Sequence, residues 1–336
     1  VHVLRLILLS LVLCAPGSAQ QFPETSSSSL GLTKSKDAPP TPEPGLTFRE
    51  IMAAQILLDR MNIAPNCIDG ELGSRSRFAL KEWQRIKGYK ATGELNVATL
   101  EVMGDVATVF TSYVVTEADH DSLGLIPNTW LEKSRKKSLS HESIQELVAE
   151  KFHASQAGLK KLNAHIKKWP NPPVGTVLTV PNVNGFTLPV AARLDINLSD
   201  KLLRAYDAQG TLVAQFPCSI ARRPEKRPVG QLKVVSTLEN PYYIFDPANF
   251  PESEEAQMLA RKLTLKPGPN NPVGLVWIAL NRKGYGIHGS PHPEEISRTE
   301  SHGCFRLSNW NALKLVKMVK KGVPVKVSYG PDKDKK

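Results

Sequence analysis

The chain has 336 residues, a formal net charge of +11, 41% hydrophobic and 22% charged residues. That length exceeds what one core usually serves, about 250 residues, so two or three domains are expected. Only one long apolar run occurs, which excludes a repeat of membrane spans. No base-stacking or groove-reading motif accompanies the positive charge, which excludes nucleic acid as its target and leaves cell-wall polymers and lipid headgroups.

Residues 1–19 read as a secretory signal: Arg5, an apolar stretch from Leu6 to Leu13, then Gly17-Ser18-Ala19. The run is shorter than the ~20 apolar residues of a comfortable span. Export to the periplasm or cell wall is expected, with membrane contact through this segment alone. Cleavage after Ala19 would lower the charge by one and leave Cys67, Cys218 and Cys304. An odd number leaves at least one free thiol. Cys67 and Cys218 fall in separate modules and read as buried free cysteines.

Residues 20–46, with Ser26 to Ser29 and Pro39, Pro40, Pro42 and Pro44, read as a Ser/Pro-rich linker. Thr47-x-x-Glu50 is a capping-box signature, and Ile51, Ala54, Leu58 and Met61 follow at helical spacing. An Asp69-Gly70 turn, a Ser74 cap and a second helix with Phe78, Trp83 and Ile86 come next. Gly88 stops it, and Thr92-Gly93 leads to a short helix from Asn96 to Met103. The ordered string Asp69-Gly70-x-x-Gly73, Trp83-Gln84, Gly88, Thr92-Gly93 and Ala98-Thr99 resembles the small helical peptidoglycan-binding module, over residues 47–104. A spacer bundle is the alternative reading, since fold resemblance does not establish ligand binding.

Residues 105–135 are poorly patterned and read as a linker ending in a basic cluster. In residues 136–185, Ser140 caps a helix with Ile144, Leu147, Val148 and Phe152. A second helix carries Leu159 and Leu162, and an edge strand runs from Thr176 to Val180. Leu159-x-x-Leu162-Asn163 and Leu178-Thr179-Val180-Pro181-Asn182 resemble a LysM glycan-binding module. The sequence departs from that pattern in the first strand, which has no evident counterpart, and in the insertion from Trp169 to Pro173.

From about Val190 short strands dominate: Leu194 to Leu198, Leu202 to Tyr206, a turn at Asp207 to Gly210, and Leu212 to Phe216 as hairpin partner. Further strands are read at Gln231 to Thr237, Gly274 to Leu280, Gly284 to His288 and Val323 to Tyr329. One helix runs from Asn309 to Lys320, and residues 329–336 read as a basic tail. The fold class expected is multidomain α+β: a small helical bundle, a LysM-like module, then a mostly β domain with a packed helix.

The chemistry concentrates in Ile287-His288-Gly289-Ser290 and Ser301-His302-Gly303-Cys304-Phe305-Arg306. A thiol of pKa ~8.5 is only a few per cent thiolate at neutral pH and needs a base, for which an imidazole near 6.5 is suited. Gly303 lets the backbone turn, and its amide with that of Cys304 can face an oxyanion. Arg306 offers a fixed fork to a carboxylate. A buried cysteine beside chance histidines, or a metal site from His288, His292, His302 and Cys304, are the other readings. Pro291 and Pro293 argue against the helix that a His288/His292 ligand pair needs.

This segment is similar to the signature of the L,D-transpeptidase catalytic domain, as are the turns Arg227-Pro228-Val229-Gly230 and Asn271-Pro272-Val273-Gly274 upstream. The resemblance spans residues 190–328. It implies Cys304 as nucleophile and His288 as general base, with His302 shaping the site and Arg306 orienting substrate. Gly289, through its carbonyl, or Ser290 would hold the imidazole, Gly303 would flank the nucleophile, and Gly289 and Ser301 would join Arg306 in binding substrate. It implies no cofactor and no metal. The partners implied are peptidoglycan stem peptides and glycan, with another stem or a wall-anchored protein as acceptor. Water as acceptor would make the enzyme an L,D-carboxypeptidase, and a decayed site would leave a wall-binding protein.

Overall fold

The computed structural model describes residues 45–185, 187–250, 253–259, 261–299 and 303–330. The signal expected at 1–19, nearly all of the linker at 20–46 and most of the tail at 329–336 lie outside them. Among the described residues no helix is long and apolar enough to cross a membrane.

Three helices open the described chain: α1 (Phe48–Arg60), α2 (Ser74–Ile86) and α3 (Val97–Met103). The capping box at α1 is formed reciprocally, with the Thr47 amide donating to Glu50 Oε2 at 2.7 Å and the Glu50 amide donating to Thr47 Oγ1 at 3.3 Å. For α2 the cap is Gly73 without a side-chain bond, and Ser74 is already inside the helix. Two buried glutamines explain the motif order. Gln55 Oε1 accepts from the Asp69 and Gly70 amides, and Gln84 Oε1 accepts from the Gly93 amide at 2.8 Å. Each ties a loop to a helix around the core of Met52, Ile56, Leu80 and Trp83.

Residues 105–135 do not form the expected linker. They carry strand β1 (Phe110–Val114) and helices α4 (Glu117–Asp121) and α5 (Trp130–Arg135). After α6 (Ile144–Lys151) and α7 (Gln156–Leu162), strand β2 (Val177–Pro181) pairs antiparallel with β1, Phe110 opposite Pro181. Strand β1 lies more than sixty positions before its partner, with α4 and α5 intervening, and β1, α6, α7 and β2 pack together as a β-α-α-β layer over Ile144, Val148, Leu159 and Leu178. Ser143, not Ser140, caps α6. Buried Asn163 links the second helix to the sheet: its Nδ2 donates to the Thr179 carbonyl at 2.8 Å and its Oδ1 accepts from the Thr179 amide at 2.7 Å.

The last part is mostly β: β3 (Arg193–Asn197), β4 (Leu202–Tyr206), β5 (Leu212–Pro217), β6 (Gly230–Glu239), β7 (Tyr243–Phe245), helix α8 (Glu254–Met258), β8 (Leu263–Leu265), β9 (Val276–Leu280), β10 (Gly286–His288), β11 (Phe305–Arg306), helix α9 (Asn309–Met318) and β12 (Pro324–Ser328). Eight strands form one mixed sheet in the order β11-β10-β9-β6-β12-β3-β4-β5. Its two ends meet, because Ser219, just past β5, bridges Arg306 in β11 through bonds of 2.9 and 3.1 Å. The sheet therefore curls around the apolar face of α9, with Leu315 and Met318 inside. The β7–β8 hairpin and α8, which the sequence did not suggest, pack Phe245 and Leu263 with Leu139 and Trp130 of the preceding unit.

A charged cluster joins the three parts. Asp59 of α1 is fully buried and receives Lys314 Nζ of α9 and His153 Nδ1, each at 2.9 Å on Oδ2. The His153 ring stacks on Trp310 at 5.3 Å.

Candidate active site

Strand β10 lies between β9, antiparallel, and β11, parallel, with Ile287 opposite Phe305 and His288 opposite Arg306. Ile287 and Phe305 are fully buried in the core. Side chains alternate along a strand, so the opposite face of these strands carries His288 and Arg306 together, and Cys304, one residue before β11, joins them. Segments separated in sequence thus place a thiol, an imidazole and a guanidinium on one face of neighbouring strands.

His288 is buried, and its Nδ1 lies 2.6 Å from the Gly289 carbonyl. A carbonyl only accepts, so Nδ1 carries the proton and Nε2 keeps a lone pair. Trp277, its register partner on β9, stacks on the ring at 5.7 Å. Burial pushes the His288 pKa down to about 4, with Arg306 adding to the shift and the Gly289 carbonyl opposing it. Cys304 is partly exposed as a residue, yet its thiol is packed, and burial pushes its pKa up to about 11. At rest Sγ donates to the Gly284 carbonyl at 3.4 Å. Burial thus favours the neutral form of both the thiol and the imidazole.

Arg306 is anchored through its backbone to Ser219, and its Nη2 donates to Thr299 Oγ1 at 3.1 Å. Ser290 does not hold the imidazole. Its buried Oγ accepts from the His292 amide at 3.2 Å instead, because the Gly289 carbonyl already occupies Nδ1. Gly303 has open surroundings; a Cβ there would meet Tyr285 at an ordinary 3.6 Å. Ser301 and His302 lie outside the described residues. Cys67 and Cys218 are buried and unpaired, their thiols pushed up by burial, Cys218 to about 12. Among the described residues no group of three His, Cys, Asp or Glu converges as metal ligands.

Several neighbours escaped the sequence reading. Tyr243, on the β7–β8 pair, is half-buried and close enough to Cys304 for the two to interact electrostatically. Asn309, at the start of α9, is fully buried, and its Oδ1 accepts from the Leu275 amide at 3.1 Å. The Asn271-Pro272-Val273-Gly274 turn abuts the histidine loop. Gly274 has φ +60°, and a Cβ on it would lie 2.6 Å from the Gly289 carbonyl carbon and against Asn309 Oδ1. Only glycine fits both the backbone angle and the gap. The turn was visible in the sequence; the residue it leans on was not.

Residues 191–327 match the profile of the L,D-transpeptidase catalytic domain, and residues 49–103 match one described as "Putative peptidoglycan binding domain". "Putative L,D-transpeptidase YkuD" of Bacillus licheniformis is 24% identical over 188 residues, 56% of this chain and 94% of that protein. "Putative L,D-transpeptidase YqjB" of Bacillus subtilis is 31% identical over 119 residues, 34% of this chain and 58% of that one. Among solved structures, L,D-transpeptidase 3 from Mycobacterium tuberculosis is similar at 18% identity, covering 48% of this chain and 76% of its own, with a TM-score of 0.32. The curled-sheet part of the chain is an L,D-transpeptidase catalytic domain, joined to a helical peptidoglycan-binding domain.

Proposed function

We propose that this L,D-transpeptidase works by cysteine acyl transfer, from a peptidoglycan tetrapeptide stem to an amine acceptor. The observation that carries the reading is the meeting of Cys304, His288 and Arg306 on one face of β10 and β11, with the His288 proton held on Nδ1 by Gly289.

In the first half-reaction His288 Nε2 takes the Sγ proton as Sγ bonds to the carbonyl carbon of the third stem residue. Collapse of the tetrahedral adduct breaks the C–N bond to the terminal D-alanine. Its amine takes the proton from the imidazolium and departs, leaving a thioester. In the second half-reaction the acceptor amine attacks the thioester and gives its proton to His288. The C–S bond breaks, and Cys304 recovers the proton. The amides of Gly303 and Cys304 face the oxyanion in both halves, an arrangement whose removal costs about 3–4 kcal/mol in other enzymes. Arg306 receives a substrate carboxylate as a charge-assisted bond. A neutral resting pair suits this scheme, because proton transfer accompanies attack rather than preceding it.

The β-α-α-β unit is assigned to glycan binding in the manner of a LysM module, supported by its strand order and by Asn163 joining helix to sheet. Export to the periplasm or cell wall is supported by the pattern of residues 1–19 and the basic charge. The acceptor is another stem or a wall-anchored protein.

Mass spectrometry of a disaccharide-tetrapeptide incubated with residues 46–336, and with its Cys304→Ala variant, tests the reading. Dimers formed with loss of one D-alanine, and absent with the variant, are expected. Tripeptide monomer alone would replace transfer by carboxypeptidase action, and dimers formed by the Cys304→Ala protein would remove Cys304 from the chemistry.

A further inference from the structure

The imidazole of His288 is held by a carbonyl, and that carbonyl is itself held. Gly289 packs against Gly274, whose Cα would lie 3.3 Å from a Cβ on Gly289, and both abut Asn309 Oδ1. Asn309 closes the assembly. Its Oδ1 accepts from the Leu275 amide at 3.1 Å, and its Nδ2 donates to the Pro269 carbonyl at 3.1 Å and to Glu150 Oε1 and Oε2 at 3.2 and 3.0 Å. A carboxylate and a carbonyl can only accept, so the amide has one orientation.

Glu150 does not belong to the catalytic domain. It is on α6 of the β-α-α-β unit. The same unit grips the loop that carries Gly274. Leu139 exchanges backbone bonds with Pro267 and Asn270 at 3.0 and 2.9 Å, and Asn270 Nδ2 donates to Glu146 Oε1 at 2.7 Å. Both supports of the histidine loop, Asn309 and the turn at 271–274, therefore rest on α6 and the residues just before it.

We propose that Glu150 and Asn309 are positioning residues for His288, so that the accessory β-α-α-β unit is a working part of the catalytic site and not a tethered binding module. The inference rests on the assignment of Cys304 and His288 as nucleophile and base. It adds that the alignment of the base is set from outside the catalytic domain. Substitutions at Glu150, remote from any substrate contact in the scheme above, then act on proton transfer and not on substrate affinity.

The test uses the full chain and a readout independent of peptidoglycan turnover: alkylation of Cys304 by iodoacetamide, followed by peptide mapping from pH 6 to 11.5. Base assistance appears as the rate at pH 7 relative to the rate at high pH, where the thiolate needs no base. General-base assistance is worth about a hundredfold or more when intact, and loss of about tenfold in this ratio is expected for Glu150→Ala and Asn309→Ala. Glu150→Gln keeps an acceptor oxygen for Asn309 and is expected to recover most of the ratio. With stem peptide as substrate, the Ala variants lower kcat and leave KM nearly unchanged. An unaltered ratio in Glu150→Ala and Asn309→Ala, alongside a lowered one in His288→Ala, overturns the proposal, whatever the melting temperatures. An unaltered ratio in His288→Ala removes the base assignment itself, and this inference falls with it.

Discussion

Replacing Lys314 by methionine would leave the Asp59 carboxylate buried with His153 as its only side-chain partner among the described residues. The lysine ammonium lies 2.9 Å from Asp59 Oδ2 and 3.0 Å from its carbonyl, and Oδ1 already has no hydrogen bond among the described residues. Breaking a buried pair on one side costs about 3–5 kcal/mol, because the remaining charge stays desolvated. For a chain of this size each kcal/mol lowers the melting temperature by about 2–4 °C, so a fall of roughly 10 °C is expected by calorimetry. Removing both charges, as Asp59→Leu with Lys314→Met, should recover all but about 1 kcal/mol, the share of the lost His153 bond. Burial alone would raise the Asp59 pKa, but the charges of Lys314 and His153 outweigh it and hold the carboxyl well below the usual range. Its contribution to stability is therefore complete above the unfolded pKa of about 3.9 and is lost only as pH falls below that value. A Lys314→Met protein that melts within 2 °C or so of the parent, or a double variant as unstable as the single, would refute the reasoning.

Three further outcomes can be checked directly. Because burial lowers the His288 pKa to about 4, the base form persists in acid, and kcat/KM should stay level down to about pH 5 and halve near 4; a midpoint near the ordinary 6.5 contradicts the burial argument. Gly274→Ala forces a Cβ at φ +60° against Asn309 and the Gly289 carbonyl carbon, and should cost about 1–3 kcal/mol in urea unfolding and most of the activity. Arg306→Lys removes the planar fork while keeping the charge, and should raise KM for the tetrapeptide about tenfold with kcat little changed; an unaltered KM would detach Arg306 from the substrate carboxylate.

The candidate segment was legible because its pattern is local: His288, Gly289, Cys304 and Arg306 stand in two short runs inside the matched catalytic domain. The helical bundle was legible for the same reason, since capping at Thr47 and the loops tied by Gln55 and Gln84 act within a few turns. What the sequence hid depends on distant partners. Phe110 to Val114 is made of strand-forming residues, but its partner, Val177 to Pro181, lies more than sixty positions on, and no local hairpin signal announces the pairing. Phe245 and Leu263 find their apolar contacts on Trp130, in a stretch that reads as a linker, and on Leu139, just beyond it. Lys314 lies on a helix with Lys317 and nothing in the sequence marks it for burial, yet it is 3% exposed, because its counter-charge comes from the first helix. Asn309 escaped for a similar reason: an asparagine opening a helix reads as a cap, and its role becomes visible only when Glu150 and Gly274 arrive.

The closure of the sheet at Ser219 and Arg306 has a temporal consequence. Strand β11 is two residues long and cannot persist by itself, so it is held only while β10 lies on one side and Ser219 on the other. These partners come from separated parts of the chain, and contacts that close long loops pay their entropy before they gain anything. Cys304 is thus expected to reach its place late in folding, after the body of the sheet exists, and to leave it first when the seam opens. Amide exchange at Ser219 and Arg306, compared with that in β3 and β12, would time the opening of the site apart from the melting of the protein.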